Sequence, residues 1–328
     1  MHMSDALLSP TVAGTMTVAS LAAVAASVMK LRRCTEPVKV AESGVMGAFV
    51  FAAQMVNFAI PGTGSSGHLC GGMLLAAVLG PYLGFLTLSL VLLVQCLLFA
   101  DGGLLALGAN VWNMAFYGCM LGGGVIWPLV AGRTPSRSRV FAASIIGNIV
   151  ALQLGAFSVT LQTFASGVTE LPFAAFAAAM QPIHLVIGTV EGMITGSVLC
   201  FILEARPEML SAETGVLPAR LSRAAALSVV GATAFAVGAL LSLAASSSPD
   251  GLEWSMERVA GTSELQRSGK LHSAAAQAQE NVAILPDYAL PGSEGVGGNV
   301  LSGLLGTGAV LVLCAAGAFL ARRRRQEA

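Results

Sequence analysis

The chain has 328 residues, of which 55% are hydrophobic and only 10% charged. Soluble domains carry roughly 25% charged residues, so a soluble globular protein is excluded, and so apolar a chain does not stay disordered. Basic and acidic residues number 17 each, a formal net charge of zero, which leaves no electrostatic footprint for nucleic acid.

Apolar runs follow one another at about 9–31, 43–60, 71–80, 82–100, 106–131, 138–164, 173–203, 224–246 and 299–321. Most reach the roughly 20 residues that a helix needs to span a bilayer. The run 71–80 is short and is parted from the next by Gly80-Pro81, a turn signal. The expected fold is an all-α polytopic membrane protein with about nine transmembrane helices, the third short or tilted. Lys30, Arg32, Arg33, Lys39, Arg133, Arg137, Arg139, Arg206, Arg220, Arg223 and Arg322 to Arg325 then fall on one side. By the positive-inside rule that side is cytoplasmic. The N-terminus, the loop 61–70, the turn at Asp101 and the stretch 247–298 lie outside, and the C-terminus lies inside. The zero net charge is thus strongly polarised. Of the 17 basic residues, 14 are inside, so the outer face is acidic and suits a cationic substrate.

No Lys or Arg precedes the first run, and a basic cluster follows it, so it does not read as a cleaved signal peptide. The bulky His2 implies that the initiator Met is retained. A shift in composition divides the chain. Residues 1–203 are nearly continuous membrane, 204–223 are a polar cytoplasmic linker, and 224–328 form two helices around the outside loop 247–298. Ser246-Ser247-Ser248-Pro249 and Gly295-x-Gly297-Gly298 read as its flexible edges. Of the cysteines, Cys34, Cys70, Cys96, Cys119, Cys200 and Cys314, none forms a Cys-x-x-Cys pair. They read as small apolar residues.

Four histidines are present. His2 and His68 are expected on the same face, His68 closing the loop Pro61-Gly62-Thr63-Gly64-Ser65-Ser66-Gly67-His68. The Met1 amine, the His2 amide and the His2 imidazole can close adjacent five- and six-membered chelate rings, and His68 can supply a fourth nitrogen. A tetragonal set of nitrogens favours Ni(II) or Cu(II) over Zn(II), and binding requires deprotonated ligands. His184 and Glu191 lie seven residues apart on one helical face, and intramembrane ionisable residues are functional candidates. His272 reads as solvated.

The opening Met1-His2-Met3-Ser4-Asp5-Ala6-Leu7-Leu8-Ser9-Pro10 resembles the start of the nickel/cobalt substrate-binding subunits of energy-coupling-factor transporters. Ala6 stands where glycine is common in that family. Phe51-Ala52-Ala53-Gln54-Met55-Val56-Asn57-Phe58, Gly64-Ser65-Ser66-Gly67-His68-Leu69-Cys70-Gly71-Gly72, Gln95 and Asp101 through Asn110 continue the resemblance over about 1–203. A second resemblance, to the accessory small subunit of the same transporters, rests on Pro249-Asp250-Gly251-Leu252-Glu253-Trp254 and Pro286-Asp287-Tyr288-Ala289-Leu290-Pro291-Gly292. It implies a fusion of the two subunits.

The resemblance implies uptake of a divalent transition metal from outside a bacterial or archaeal cell membrane. Its ligands are Met1, His2 and His68. Ni(2+) or Co(2+) is the transported substrate, with no bound organic cofactor. Nickel is the expected ion, and cobalt for cobalamin synthesis is the alternative. Gln54, Asn57, Asp5, Ser9, Ser66 and Asp101 are candidates to support the site, against local capping for Asp5, Ser9 and Asn110. The chain lacks a Gly-x-x-x-x-Gly-Lys-(Ser/Thr) motif, so it is expected not to be an enzyme. A transmembrane coupling (T) subunit and cytoplasmic ATPase subunits would supply the energy. Two distant rivals are a metal-sensing membrane receptor and an intramembrane serine protease using Ser66 and His184.

Overall fold

The computed structural model describes residues 1–32, 37–210, 221–263, 265, 269–290 and 297–326. Cys34, residues 211–220 of the 204–223 linker, the Pro291-Gly292 end of the second motif, Gly295 and the side chains of Arg322 to Arg325 lie outside the described residues.

The chain is helical nearly throughout, as the unbroken apolar runs require. Its helices are α1 Pro10–Arg32, α2 Pro37–Gln54, α3 Gly72–Leu79 and α4 Pro81–Phe99. They continue as α5 Leu107–Val130, α6 Arg137–Ser166, α7 Phe173–Ala205, α8 Arg223–Ala239, α9 Gly251–Ala260, α10 Lys270–Val282 and α11 Gly297–Gln326. Much of α5, Val111–Ile126, is wound as a π-helix. Among the described residues six helices, α1, α4, α5, α6, α7 and α11, are long and apolar enough to cross a membrane. The helices α2 and α8 run 18 and 17 residues.

The third apolar run is a short helix, as its sequence suggests, but it is entered through coil. At eight residues, α3 rises about 12 Å, less than half of a bilayer core of about 30 Å. The segment Leu69–Gly71 leads into it as non-helical backbone, and all of it is buried. Irregular backbone is tolerated at membrane depth only where protein encloses it. Here the protein does so: Gln54 Nε2 donates to Cys70 O at 2.9 Å, and Gly71 N donates to Glu191 Oε1 at 2.8 Å. The chain then reverses at Gly80, whose φ is +83°, and Pro81 opens α4.

The segments Phe58–Ile60 (β1) and Ser65–Gly67 (β2) form a small antiparallel hairpin, with Ala59 opposite Ser66. It sits at the end of the bundle where α1 begins and α2 and α4 finish. The two long helices of the C-terminal part, α8 and α11, pack on α2 and on each other. Arg223 at the start of α8 pairs with the buried Glu42 of α2 at 2.6 Å. The short helices α9 and α10 cap the hairpin end of the bundle.

Candidate metal centre

The first eight residues form a plug rather than a tail. Met1 is 5% exposed, and Met3, Leu7 and Leu8 are fully buried. The Asp101–Asn110 segment holds them. Asn110 Oδ1 accepts from Met3 N at 2.7 Å, and Asn110 Nδ2 donates to Met3 O at 3.1 Å. Gly103 N also reaches Met3 O, at 2.9 Å. Asp5 Oδ1 accepts from Ala106 N at 2.9 Å. An extended strand end with both backbone groups bonded has little freedom left, so the position of the first nitrogen is defined.

That nitrogen lies 3.2 Å from His68 Nε2. His68 Nδ1 lies 2.9 Å from Leu69 O. A carbonyl only accepts, so Nδ1 carries the proton and Nε2 presents its lone pair to Met1. The His2 ring is stacked on the His68 ring, with centroids 5.4 Å apart and planes 16° from parallel. His2 Nδ1 sits 3.2 Å from Asp101 Oδ1, and His2 Nε2 is buried without a hydrogen-bond partner. Met1, His2 and His68 therefore converge, while Nδ1 of His2 faces a carboxylate.

The electrostatics follow from burial and two carboxylates. Burial pushes the His68 imidazole down to about 3, the Met1 ammonium and His2 add to this, and Asp250 opposes. Burial likewise lowers His2, against the pull of Asp101. Both rings are neutral at ordinary pH, the form that binds a metal. The Met1 ammonium behaves oppositely. Burial alone would lower its value, but the ion pair with Asp250 prevails and raises it. Asp250 is held below the usual carboxylate range. Burial opposes this, and the adjoining Met1 ammonium outweighs it.

The supporting residues differ in what they hold. Gln54 bridges Cys70 O and Gln95, whose Nε2 donates to Gln54 Oε1 at 2.8 Å, so it braces the backbone just after His68. Asp101 touches the site directly through His2, and Asp5 acts through the N-terminal segment. Ser66 Oγ donates to Ser248 O at 2.8 Å and ties the histidine loop to the C-terminal part. Ser9 only caps α1, accepting from Val12 N at 3.3 Å. Asn57 lines the entrance, and its backbone O accepts from Ser246 N at 2.8 Å. The two intramembrane residues separate. His184 lines a small pocket of about 10 Å³ with Met1, His68, Cys70 and Asp250, and its Nδ1 binds Met180 O of its own helix at 2.7 Å. Glu191 instead caps α3 through Gly71.

A wider cleft of about 720 Å³ leads to His2 and His68. Among its described lining residues are the carboxylates of Asp5, Asp101, Asp250, Glu253 and Asp287, and no lysine or arginine. Such a cleft concentrates cations.

Several contributors escape a reading of the sequence. Asp250 pairs with the Met1 nitrogen from 249 residues away. Tyr288 donates to Asp101 Oδ2 at 2.6 Å. Gln279 Nε2 donates to Gly102 O at 2.7 Å. The expectation that His272 is solvated is overturned. It is 7% exposed, and its Nε2 donates to Leu8 O at 3.1 Å. Asn110 is a clamp on Met3 rather than a local cap. The Pro249-Asp250-Gly251 and Pro286-Asp287-Tyr288 motifs were the available signal, but sequence does not say which distant groups they meet.

Comparison with known proteins agrees with this anatomy. The family described as the cobalt uptake substrate-specific transmembrane region, CbiM, matches residues 2–209, and the PDGLE domain matches 224–323. A putative fused nickel transport protein, NikMN, of Archaeoglobus fulgidus is 35% identical over 95% of this chain and 96% of its own. The cobalt transport protein CbiM of Sorangium cellulosum is 29% identical over 64% of this chain and 94% of its own. The crystal structure of a truncated transition metal transporter superposes with a TM-score of 0.55 at 32% identity, covering 62% of this chain and 99% of that one. This chain, a multi-pass membrane protein, belongs to the CbiM family and carries a fused PDGLE domain.

Proposed function

We propose that this chain is the substrate-capturing component of an ATP-driven uptake system for a divalent transition metal, with Ni(II) as the preferred ion. One observation carries the reading: the Met1 nitrogen and His68 Nε2 lie 3.2 Å apart around what is now a shared proton. Two nitrogens bound side by side at about 2.0–2.1 Å to one metal ion lie slightly less than 3 Å apart, so an ion replaces that proton with little movement.

The remaining donors come from His2. Its amide nitrogen adjoins Met1, and a half-turn of its ring about Cβ–Cγ swings Nδ1 away from Asp101 and toward the shared centre, the ring proton passing from Nδ1 to Nε2 so that Nδ1 offers its lone pair and the ring stays neutral. Two protons leave to solvent, one from the ammonium and one from the His2 amide. Four nitrogens, including one amidate, suit a square plane, which favours nickel over zinc. Cobalt is the alternative ion, since relatives named for both metals match this chain. The acidic cleft supports capture from the outer face.

The chain has no P-loop motif, so energy comes from a transmembrane coupling subunit and cytoplasmic ATPases. The protease reading loses its pair: Ser66 is bonded to Ser248 O and His184 to Met180 O, so neither is set to activate the other.

The test is metal content of the purified chain after exposure to Ni(II). Residues added before Met1, and separately His68→Ala, are each expected to abolish bound nickel. Undiminished nickel in both sinks the site. Competition between Ni(II) and Co(II) on the unaltered chain decides the preferred ion.

A further inference from the structure

The proposed chelate has a charge that its own ligands do not cancel. A divalent ion, one amidate, a neutral amine and two neutral imidazoles sum to a single positive charge. Met1 and His68 are 5% and 8% exposed, and burying an uncompensated charge is strongly unfavourable even after the protein relaxes. A fixed anion at the site removes most of that penalty.

Asp250 is placed for this role. Its Oδ1 accepts from Leu252 N at 2.8 Å and Glu253 N at 2.9 Å, and Glu253 returns a bond to Asp250 N at 3.0 Å. This capping box fixes the carboxylate and turns Oδ2 onto the Met1 nitrogen. The segment before it is stitched to the histidine loop: Ser66 N donates to Pro249 O at 2.8 Å. Trp254 Nε1 donates to Thr63 O at 2.9 Å. Behind it, Gly251 lies so close to α7 that an added Cβ would stand 2.9 Å from Ile187 Cδ1 and 3.0 Å from His184 Cε1. The carboxylate cannot easily retreat.

The bonding at the amine also permits Asp250 to stay. An ammonium has three N–H bonds. The one facing His68 is lost when the metal takes the nitrogen lone pair, and two N–H bonds remain. We infer that Asp250 keeps its bond to the Met1 nitrogen when the metal is bound, and acts as the counter-charge of the chelate without entering the coordination shell. This rests on the metal site proposed above. The PDGLE domain would then lend the capture domain an anion that the latter's own residues do not place on the amine. Asp101, the other nearby carboxylate, is engaged by Tyr288 instead.

The test uses the full-length chain in detergent, with Ni(II) alone as probe, and compares Asp250→Asn, Asp250→Glu, Asp250→Ala and His68→Ala. Asparagine keeps the shape and the helix cap but removes the charge. Changes around metal ligands typically cost 10–100-fold in affinity, and Asp250→Asn is expected to lose that much. Its Ni(II) absorption band should stay at the unaltered wavelength, because the four nitrogens are unchanged. Asp250→Glu should recover most of the affinity. Undiminished affinity in Asp250→Asn overturns the counter-charge role, and a shifted band overturns it by making Asp250 a direct ligand. If Asp250→Asn fails to yield folded protein, affinity in Asp250→Glu as low as in Asp250→Ala overturns it, because charge then has no effect. Nickel retained by His68→Ala removes the site itself. Nickel lost there but kept by Asp250→Asn removes only the present inference.

Discussion

His68 Nε2 faces the Met1 nitrogen at 3.2 Å across 67 residues of chain, with its own Nδ1 tied to Leu69 O. The tautomer, the ring orientation and the partner are thereby set together. A second bond on the far ring nitrogen is how metal-binding histidines are usually oriented.

Proton competition at this pair has a definite sign. Burial holds His68 down to about 3 and lowers His2, so neither ring holds a competing proton above about pH 6.5. The Met1 ammonium is raised by Asp250, so its proton competes with the metal to higher pH than an ordinary terminal amine. Nickel affinity is expected to climb with pH. Two protons should be displaced per ion below the ammonium's raised value and one, from the His2 amide, above it. Chelator competition across that range measures the slope. A flat profile contradicts the amine and amide as ligands.

Gly251 tests how tightly the PDGLE domain must sit. With Cβ contacts of 2.9 and 3.0 Å to Ile187 and His184, Gly251→Ala should push the Asp250 segment outward and lower nickel retention. Hydrogen exchange of the backbone around 248–256 should rise at the same time. Adding Ile187→Ala opens space and should recover part of both. No change in exchange in the single variant contradicts the packing argument.

Glu191 is expected to act on the site through backbone. Glu191→Ala leaves Gly71 N–H without its acceptor, at a cost of about 1–3 kcal/mol. The melting temperature in detergent should drop, and nickel retention should drop with it, because Gly71 follows His68 by three residues. Glu191→Gln keeps an acceptor and should be milder. Equal melting temperatures for Ala, Gln and the unaltered chain would count against this bracing role.

Gln54 makes the companion prediction. Gln54→Leu is close in size but strands Cys70 O and Gln95 Nε2, two buried groups now satisfied at 2.9 and 2.8 Å. Each unmet group costs about 1–3 kcal/mol. Lower thermal stability is expected, with nickel affinity reduced more than in a control such as Leu161→Ala on the exposed face of α6. If Gln54→Leu matches that control in both readouts, the bracing is not needed.

Much of this protein is legible in its sequence. Continuous apolar length is enough to require membrane helices, because an unpaired backbone in lipid is too costly. The histidines after Met1 and the glycine loop were equally visible, since a chelate at a chain terminus is built from neighbours. The third apolar run illustrates the limit. Its shortness is plain at Gly80-Pro81, but the enclosed coil at Leu69–Gly71 that completes it depends on Gln54 and Glu191 arriving from α2 and α7.

Composition, hydropathy and local chelate geometry thus determined the class of protein and pointed to three residues, Met1, His2 and His68, that the fold brings together, because each is a property of nearby residues or of the chain's average. Only the tertiary structure decided what surrounds them. Asp250 on the Met1 nitrogen, Tyr288 on Asp101, His272 on Leu8 and Asn110 on Met3 join segments up to 264 residues apart. Such polar pairings leave no periodic trace in sequence. They exist because the packed helices bring buried donors and acceptors together, and each must find a partner there.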